Sequence, residues 1–347
     1  MKKNSNRKYI FVTFSILCAL AFSALWLGYS AIFKSNVALE SESAEVFIPE
    51  KSSVDEVVYL LKHSHIIRNE QSFRLVAKLK KFHMPSKGGR YVIQSGWSNN
   101  EIINTLRVGD EVPVKLTFNN IRTPAELSAR LAQQLALDSA DLMAVFNDYD
   151  FIRSLGFDLE TVVAIFIPNT YEVYWTIDAK TLFLRMKREY EAFWNEERRA
   201  QAEAIGLTPV EVVTLASIIE EETLKAFEKP IIAGVYINRL KRGIPLQACP
   251  TLKFALQDFS IKRVLYEHIA VESPYNTYKY KGLPPGPVRL PDTHSIEAVL
   301  HYTKHDYLYF SAKEDFSGTH YFSKTLKQHN AYAQRYHRAL NKQGIYK

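Results

Sequence analysis

Three consecutive glutamates, Glu220, Glu221 and Glu222, end an uncharged apolar run, Val212 to Ile219. A carboxyl at the border of desolvated surface can hold a proton near neutrality and deliver it to a leaving oxygen, because burial disfavours the charged form. The run opens with Thr208, Pro209 and Glu211. These are an N-cap residue, proline at the first helical position and a glutamate three residues after the cap, which predicts a helix over 208–223. At helical spacing Val213, Ala216, Ser217, Glu220 and Leu224 share one side. Glu220 therefore continues the buried stripe and is the candidate acid, while Glu221 and Glu222 point about 100° and 200° away. Read without chemistry, the cluster is a solvated acidic face just past a buried helix, and that reading stays open at this point.

A protonated carboxyl suits glycosidic cleavage, which also needs polar and aromatic side chains to hold sugar rings. Gln247, Tyr275, Asn276 and Tyr278 lie in segments that read as loops and could line a groove; each alone is equally an ordinary loop residue. Other chemistries are poorly served. His301 and His305 stand at i and i+4, and His63 and His65 at i and i+2, but no acidic residue completes a zinc-protease pattern. Cys249 precedes Pro250 in a predicted turn, and no serine sits in a glycine-flanked elbow. A glycine-rich phosphate loop is absent from the sequence. No metal or organic cofactor is expected.

The elements that must carry these residues begin at a basic start, Lys2, Lys3, Arg7 and Lys8, followed by 25 uncharged positions from Tyr9 to Phe33. A bilayer core needs about 20 residues, and a signal-peptide core is shorter, about 7–15. Trp26 and Tyr29 sit near the far end as interfacial anchors do. We expect a single transmembrane helix over 9–33, a cytoplasmic tail over 1–8 and the remainder on the opposite side of the cytoplasmic membrane. Of the formal net charge of +7, that remainder keeps +3, compatible with an anionic wall or lipid surface. Nucleic acid is not expected as a partner of an exported domain. Outside the span Cys249 is the sole cysteine of the sequence, so no intrachain disulfide forms there.

Val46–Ile48 reads as a strand, Ser53–Glu56 is a capping box opening a helix, a second helix runs near 73–82, and 90–93 returns as a strand. A further capping box, Ser98 to Glu101, opens a helix that stops near Gly109. This β-α-α-β module is expected over 45–110. A mixed α+β domain over 111–345 then holds a strand at 112–118, helices from Thr123 and Ser139, an apolar strand candidate at 161–167 and one long helix over 179–199. After the glutamate helix come a helix over 231–240 and a turn at 246–251. The proline-rich segment 273–291 cannot be regular throughout. A short helix at 295–303, a hairpin of 307–312 with 319–322 and a basic helix from Leu326 close the chain. The fold class is α+β.

Several spaced motifs resemble the endolytic murein transglycosylases, the MltG/YceG-like family. They are ASIIEEET at Ala216–Thr223, GVYINRL at Gly234–Leu240, Leu246-Gln247, Pro250-Thr251, SPYNTY at Ser273–Tyr278 and GLPPGPV at Gly282–Val288. YLYFSA at Tyr307–Ala312, HYFSKTLKQHN at His320–Asn330 and, upstream, IPNTYEV at Ile167–Val173 complete the set. The resemblance implies a membrane-anchored lytic transglycosylase that cuts the β-1,4 bond between N-acetylmuramic acid and N-acetylglucosamine. It would leave 1,6-anhydro ends, with Glu220 as the single acid/base, and would end strand elongation alongside glycan synthases (penicillin-binding proteins). The 45–110 module looks LysM-like. Asn238 and Glu222 either orient the site or pair locally. The sequence departs from the family at Ala248-Cys249-Pro250, where an acidic residue is common, and at Glu221, often basic. A further carboxylate at 221 is expected to push the Glu220 proton affinity up by like-charge repulsion. A lysozyme-type muramidase and a non-catalytic peptidoglycan-binding anchor are the alternatives.

Overall fold

The computed structural model describes residues 3–85, 87–261 and 264–344, so Lys2 of the basic start and position 345 of the expected domain lie outside the described residues. The chain divides into two compact units. The first comprises Met1–Lys115, Gln134–Ala136 and Glu172–Ile177, the second Leu116–Gln133, Leu137–Tyr171 and Asp178–Lys347.

The first unit begins with α1 (Lys3–Phe33), of which Arg7–Phe33 is long and apolar enough to cross a membrane, with a mean hydropathy of 2.3 and none of it buried. The strand–helix–helix–strand order expected beyond it is present as β1 (Ser43–Ile48), α2 (Val54–His63), α3 (Glu70–Leu79) and β2 (Gly89–Gln94), followed by α4 (Asn99–Val108). β1 and β2 pair antiparallel with Val46 opposite Tyr91. Both capping boxes form: Ser53 with Glu56 and Ser98 with Glu101. Gly109 ends α4 in the left-handed conformation, φ 75°, which glycine adopts without strain. Val57, Leu61, Phe73, Val76, Ile93, Ile102 and Ile103 fill the core. Its buried polar side chains include two amides, Asn36 and Asn99, that bond to each other and to nearby backbone. Asn36 donates to Asn99 Oδ1 (2.7 Å) and to the Asn69 carbonyl (2.9 Å), and Asn99 donates to the carbonyl of Ala31 in α1 (2.9 Å).

The chain passes between the units at β3 (Val114–Thr117) and β4 (Thr170–Val173). In the second unit α5 (Pro124–Ala132), α6 (Ser139–Phe146), α7 (Tyr149–Ser154) and α8 (Ala179–Phe193) enclose an aromatic core in which Phe166 meets Phe118, Phe146 and Phe183 at 5.1–5.9 Å. Two sequence expectations fail here. The apolar run at 161–167 holds a 3-10 turn, Val162–Ile165, instead of a strand. A short apolar run carries no period that separates the two, and Thr161 Oγ1 accepts from the Asp158 amide, closing a turn at its start. The long helix over 179–199 is two, α8 and α9 (Glu196–Ile205). Trp194 leaves helical geometry at ψ 63°, Asn195 caps α9 by accepting from the Arg198 amide, and Arg198 and Arg199 donate to the free carbonyls at the end of α8.

The remaining elements are α10 (Pro209–Glu222), α11 (Lys229–Lys241), α12 (Cys249–Leu256), α13 (Tyr266–Ile269), α14 (Thr293–Leu300), the β5–β6 hairpin (Tyr309–Ala312 with His320–Ser323) and α15 (Leu326–Lys342). Of the turn expected at 246–251, residues 249–251 are the start of α12, with Pro250 in its first turn. α10 is the central element, buried on every side from Val212 to Ile219 and packed against α9, α11, α12 and α14.

Candidate active site

α10 runs as its capping box directs: Thr208 accepts from the Glu211 amide, and Glu211 returns a carboxylate oxygen to the Thr208 amide at 2.7 Å. Burial all round means that helical phase does not single out one of the three glutamates, and Leu224, assigned to the buried stripe, is 93% exposed. The helix ends at Glu222 because Thr223 is extended, φ −149°. The three carboxylates thus leave the core together and enter three different surroundings.

Glu220 is tied down. Its Oε2 accepts from Lys229 Nζ at 2.8 Å and from the hydroxyl of Ser295, linking α10 to α11 and α14. Both members of this ion pair are largely buried, at 15% and 10% side-chain exposure. An ammonium and a hydroxyl thus share one oxygen of Glu220, a more polar setting than the desolvated end of a stripe expected at this position. Glu221 is held more tightly. Its Oε1 accepts from Arg122 Nε at 2.9 Å and from Arg289 Nη1 at 2.6 Å. The Glu221 carboxylate thus faces two guanidiniums.

Glu222 stands apart. Its Oε1 accepts from the Tyr236 hydroxyl at 2.8 Å. Burial pushes its carboxyl up to about 7, against the pull of that hydrogen bond and of Lys253. Around it lie Cys249, whose Sγ is 3.3 Å from the Tyr278 hydroxyl, and Tyr278 itself. Burial raises the Cys249 thiol, with the Glu222 charge adding to it, and raises the Tyr236 and Tyr278 hydroxyls. The seat of Glu222 is thus lined by neutral donors near neutral pH, with Lys253 the nearby cation.

The other candidates divide. Gln247 is exposed, sits at φ 54° and accepts from Arg239 Nη2 at 2.6 Å. Tyr275 is half-buried against Phe254, ring centroids 4.6 Å apart, and burial raises its hydroxyl to about 12. Asn276 is fully buried, and the chain itself uses its polar atoms. Nδ2 donates to Ile269 and Val271 carbonyls, and Oδ1 accepts from the Tyr278 and Lys279 amides. It builds the turn that presents Tyr275 and Tyr278, with each of its polar atoms bonded within the chain. Asn238 likewise spends its amide on the His305 carbonyl at 2.6 Å and the Tyr307 carbonyl at 3.1 Å. These are local pairings, one of the two roles expected of it.

Sequence reasoning missed Tyr236, Arg239, Lys229, Ser295, Arg122 and Arg289. Tyr236 and Arg239 lie within GVYINRL and were legible only as a helix motif. Arg239 is buried, donating to the Pro245 and Leu308 carbonyls, and so fixes the bend that carries Gln247. The proline-rich segment is positioned by α10: the Val288 amide donates to Ser217 Oγ at 3.0 Å. Gly286 is required there, since a Cβ would stand 2.0 Å from the Glu160 carbonyl oxygen. The same segment forms an open hollow of about 550 Å³ lined by Glu272, Ser273, Pro274, Tyr280, Leu283 and Pro285. Among the described residues no group of three or more His, Cys, Asp or Glu stands in metal-binding geometry.

The chain is similar to known proteins. An endolytic murein transglycosylase of Bacillus subtilis is 29% identical over 309 residues, covering 85% of each chain. One from Streptococcus pneumoniae is 26% identical, covering 94% of this chain and 65% of its own longer one. A crystal structure of a YceG-like protein from Listeria monocytogenes superposes with a TM-score of 0.56 at 30% identity, over 84% of this chain and 98% of that one. The model of the YceG-like family matches residues 46–335, so the motifs that suggested the resemblance fall inside one continuous match, and the chain belongs to the YceG-like family.

Proposed function

We propose that this chain is a lytic transglycosylase of murein that cuts within glycan strands, with Glu222 as its single acid/base. The relatives' activity supports the reaction class. The observation that carries the choice of residue is the contrast along α10: Glu220 and Glu221 are bound by cations, whereas Glu222 lies in a neutral seat with its carboxyl raised to about 7. Glu220, the acid expected from helical phase, then serves to lock α10 to α11 and α14.

The step needs one carboxyl acting twice. Glu222 gives its proton to the oxygen bridging N-acetylmuramic acid and N-acetylglucosamine, and the bond from muramic C1 to that oxygen breaks. The carboxylate then takes the proton of the muramic C6 hydroxyl, whose oxygen bonds to C1 and closes the 1,6-anhydro ring. The proton is regained, no water enters, and the second carboxylate of ordinary glycosidases has no task. Gln247, Tyr275 and Tyr278 are the side chains we assign to holding the sugars. α1 anchors the enzyme in the cytoplasmic membrane with its basic start inside, which keeps the site near emerging strands and the synthases that make them.

Digestion of purified sacculi by the full chain, followed by mass analysis, tests the reaction. Anhydro-ended muropeptides are expected. Products heavier by one water with reducing ends would establish a muramidase instead, and binding without any product would establish a wall-binding anchor.

A further inference from the structure

We propose that Tyr236 is a positioning residue for this reaction: its hydroxyl fixes one oxygen of Glu222 and thereby sets the pH range over which the enzyme works. The inference rests on the reading of Glu222 as the acid. Tyr236 is only 2% exposed, and its ring meets Phe310 of β5 edge-on at 5.7 Å. The hairpin and α11 therefore hold the phenol in one place, and its hydroxyl reaches Glu222 Oε1 at 2.8 Å. Among the described residues no other donor bonds this carboxylate.

The groups around Glu222 come from every element packed against it. α11 brings Tyr236, which in turn acts on Arg239, and α12 brings Cys249 and Lys253. The 273–291 segment brings Tyr278, and α10 itself brings Glu221, held by Arg122 and Arg289. Burial of Glu222 favours the proton, and the Tyr236 bond is the largest opposing influence, ahead of Lys253. Removing the donor leaves burial less opposed, so the acid form persists to higher pH. A loosely held carboxyl also meets the bridging oxygen less often in line.

The test is Tyr236→Phe, which keeps the ring and its contact with Phe310. The pH profile of anhydro-muropeptide release should move its alkaline limb upward by on the order of one pH unit, with a maximal rate lower by roughly tenfold. A lower rate with an unmoved limb would mean that Tyr236 only packs, and overturns the proposal. Should the variant fail to fold, 13C-labelled tyrosine in the wild type decides: the Tyr236 Cζ resonance, recognised by its perturbation in Glu222→Gln, must shift as Glu222 titrates, and a resonance that ignores it overturns the proposal. Glu222→Gln separates the two failures. If that variant still cleaves, the reading of Glu222 has failed; if it is inactive while Tyr236→Phe keeps the wild-type profile, only the role of Tyr236 has.

Discussion

The strand–helix–helix–strand module and the surroundings of α10 solve the problem of buried polarity in opposite ways. In the module the buried polar side chains are neutral: Asn36 and Asn99 bond to each other and to nearby backbone, while the ion pairs Lys62–Glu70 and Arg90–Glu45 stay toward the surface. Around α10 the chain buries charge. Glu228, Lys229 and Arg239 are each less than 10% exposed. Glu228 accepts from the ring nitrogen and the backbone amide of His320, both at 2.8 Å, joining the α10–α11 turn to the hairpin. Buried charge is costly unless each group is partnered, so a fold concentrates it where rigidity or chemistry requires it. Within the glutamate cluster of α10, Glu220 and Glu221 carry cations on their oxygens and Glu222 carries the Tyr236 hydroxyl, the contrast on which its proposed role in proton transfer rests.

That contrast can be broken in four ways. Glu222→Gln keeps the shape and the Tyr236 contact but removes the proton; cleavage should fall by roughly 10³-fold with circular dichroism unchanged. Glu221→Ala leaves Arg122 and Arg289 facing each other without their anion, and should cost on the order of 3 kcal/mol in denaturant unfolding. The pH dependence of stability comes next. The Glu222 carboxyl is raised from 4.5 to about 7, so its contribution is present below about pH 4.5 and is lost as pH rises through 7. The difference is at most about 3 kcal/mol, reduced where its half-buried edge meets water. Thermal melts of the wild type should weaken across that window, and Glu222→Gln should flatten the slope. Asn99→Ala should cost about 1–2 kcal/mol by leaving one buried Asn36 N–H without its acceptor, with cleavage per folded molecule unchanged in an assay on soluble glycan.

Local chemistry made the elements legible. The capping boxes at Ser53, Ser98 and Thr208 all form, and the β-α-α-β order follows from them with the alternation of the two strands. At Thr123 the glutamate reaches one residue further back, to the Arg122 amide at 2.7 Å. The spaced motifs were legible as a family. What the sequence could not divide was the glutamate cluster. Helical phase assumes one wet side, and α10 has none through Ile219. The groups that sort the glutamates lie far along the chain: Lys229 is nine residues from Glu220, Ser295 is 75, and Arg122 is 99 from Glu221. Tyr236 lies 14 from Glu222. The break between α8 and α9 was hidden for the opposite reason, since Trp194 and Asn195 are no strong breakers and arginine side chains complete the end of α8.

The central claim is that the acid is the last glutamate of α10. Its most direct test is the release of 1,6-anhydro muropeptides from sacculi by Glu220→Gln and Glu222→Gln side by side, each normalised to folded protein. Glu222→Gln should release roughly 10³-fold less, while Glu220→Gln, which keeps a side chain able to bond Ser295, should retain measurable release of the same product. Release by Glu222→Gln together with silence from Glu220→Gln would return the role to Glu220 and contradict the account.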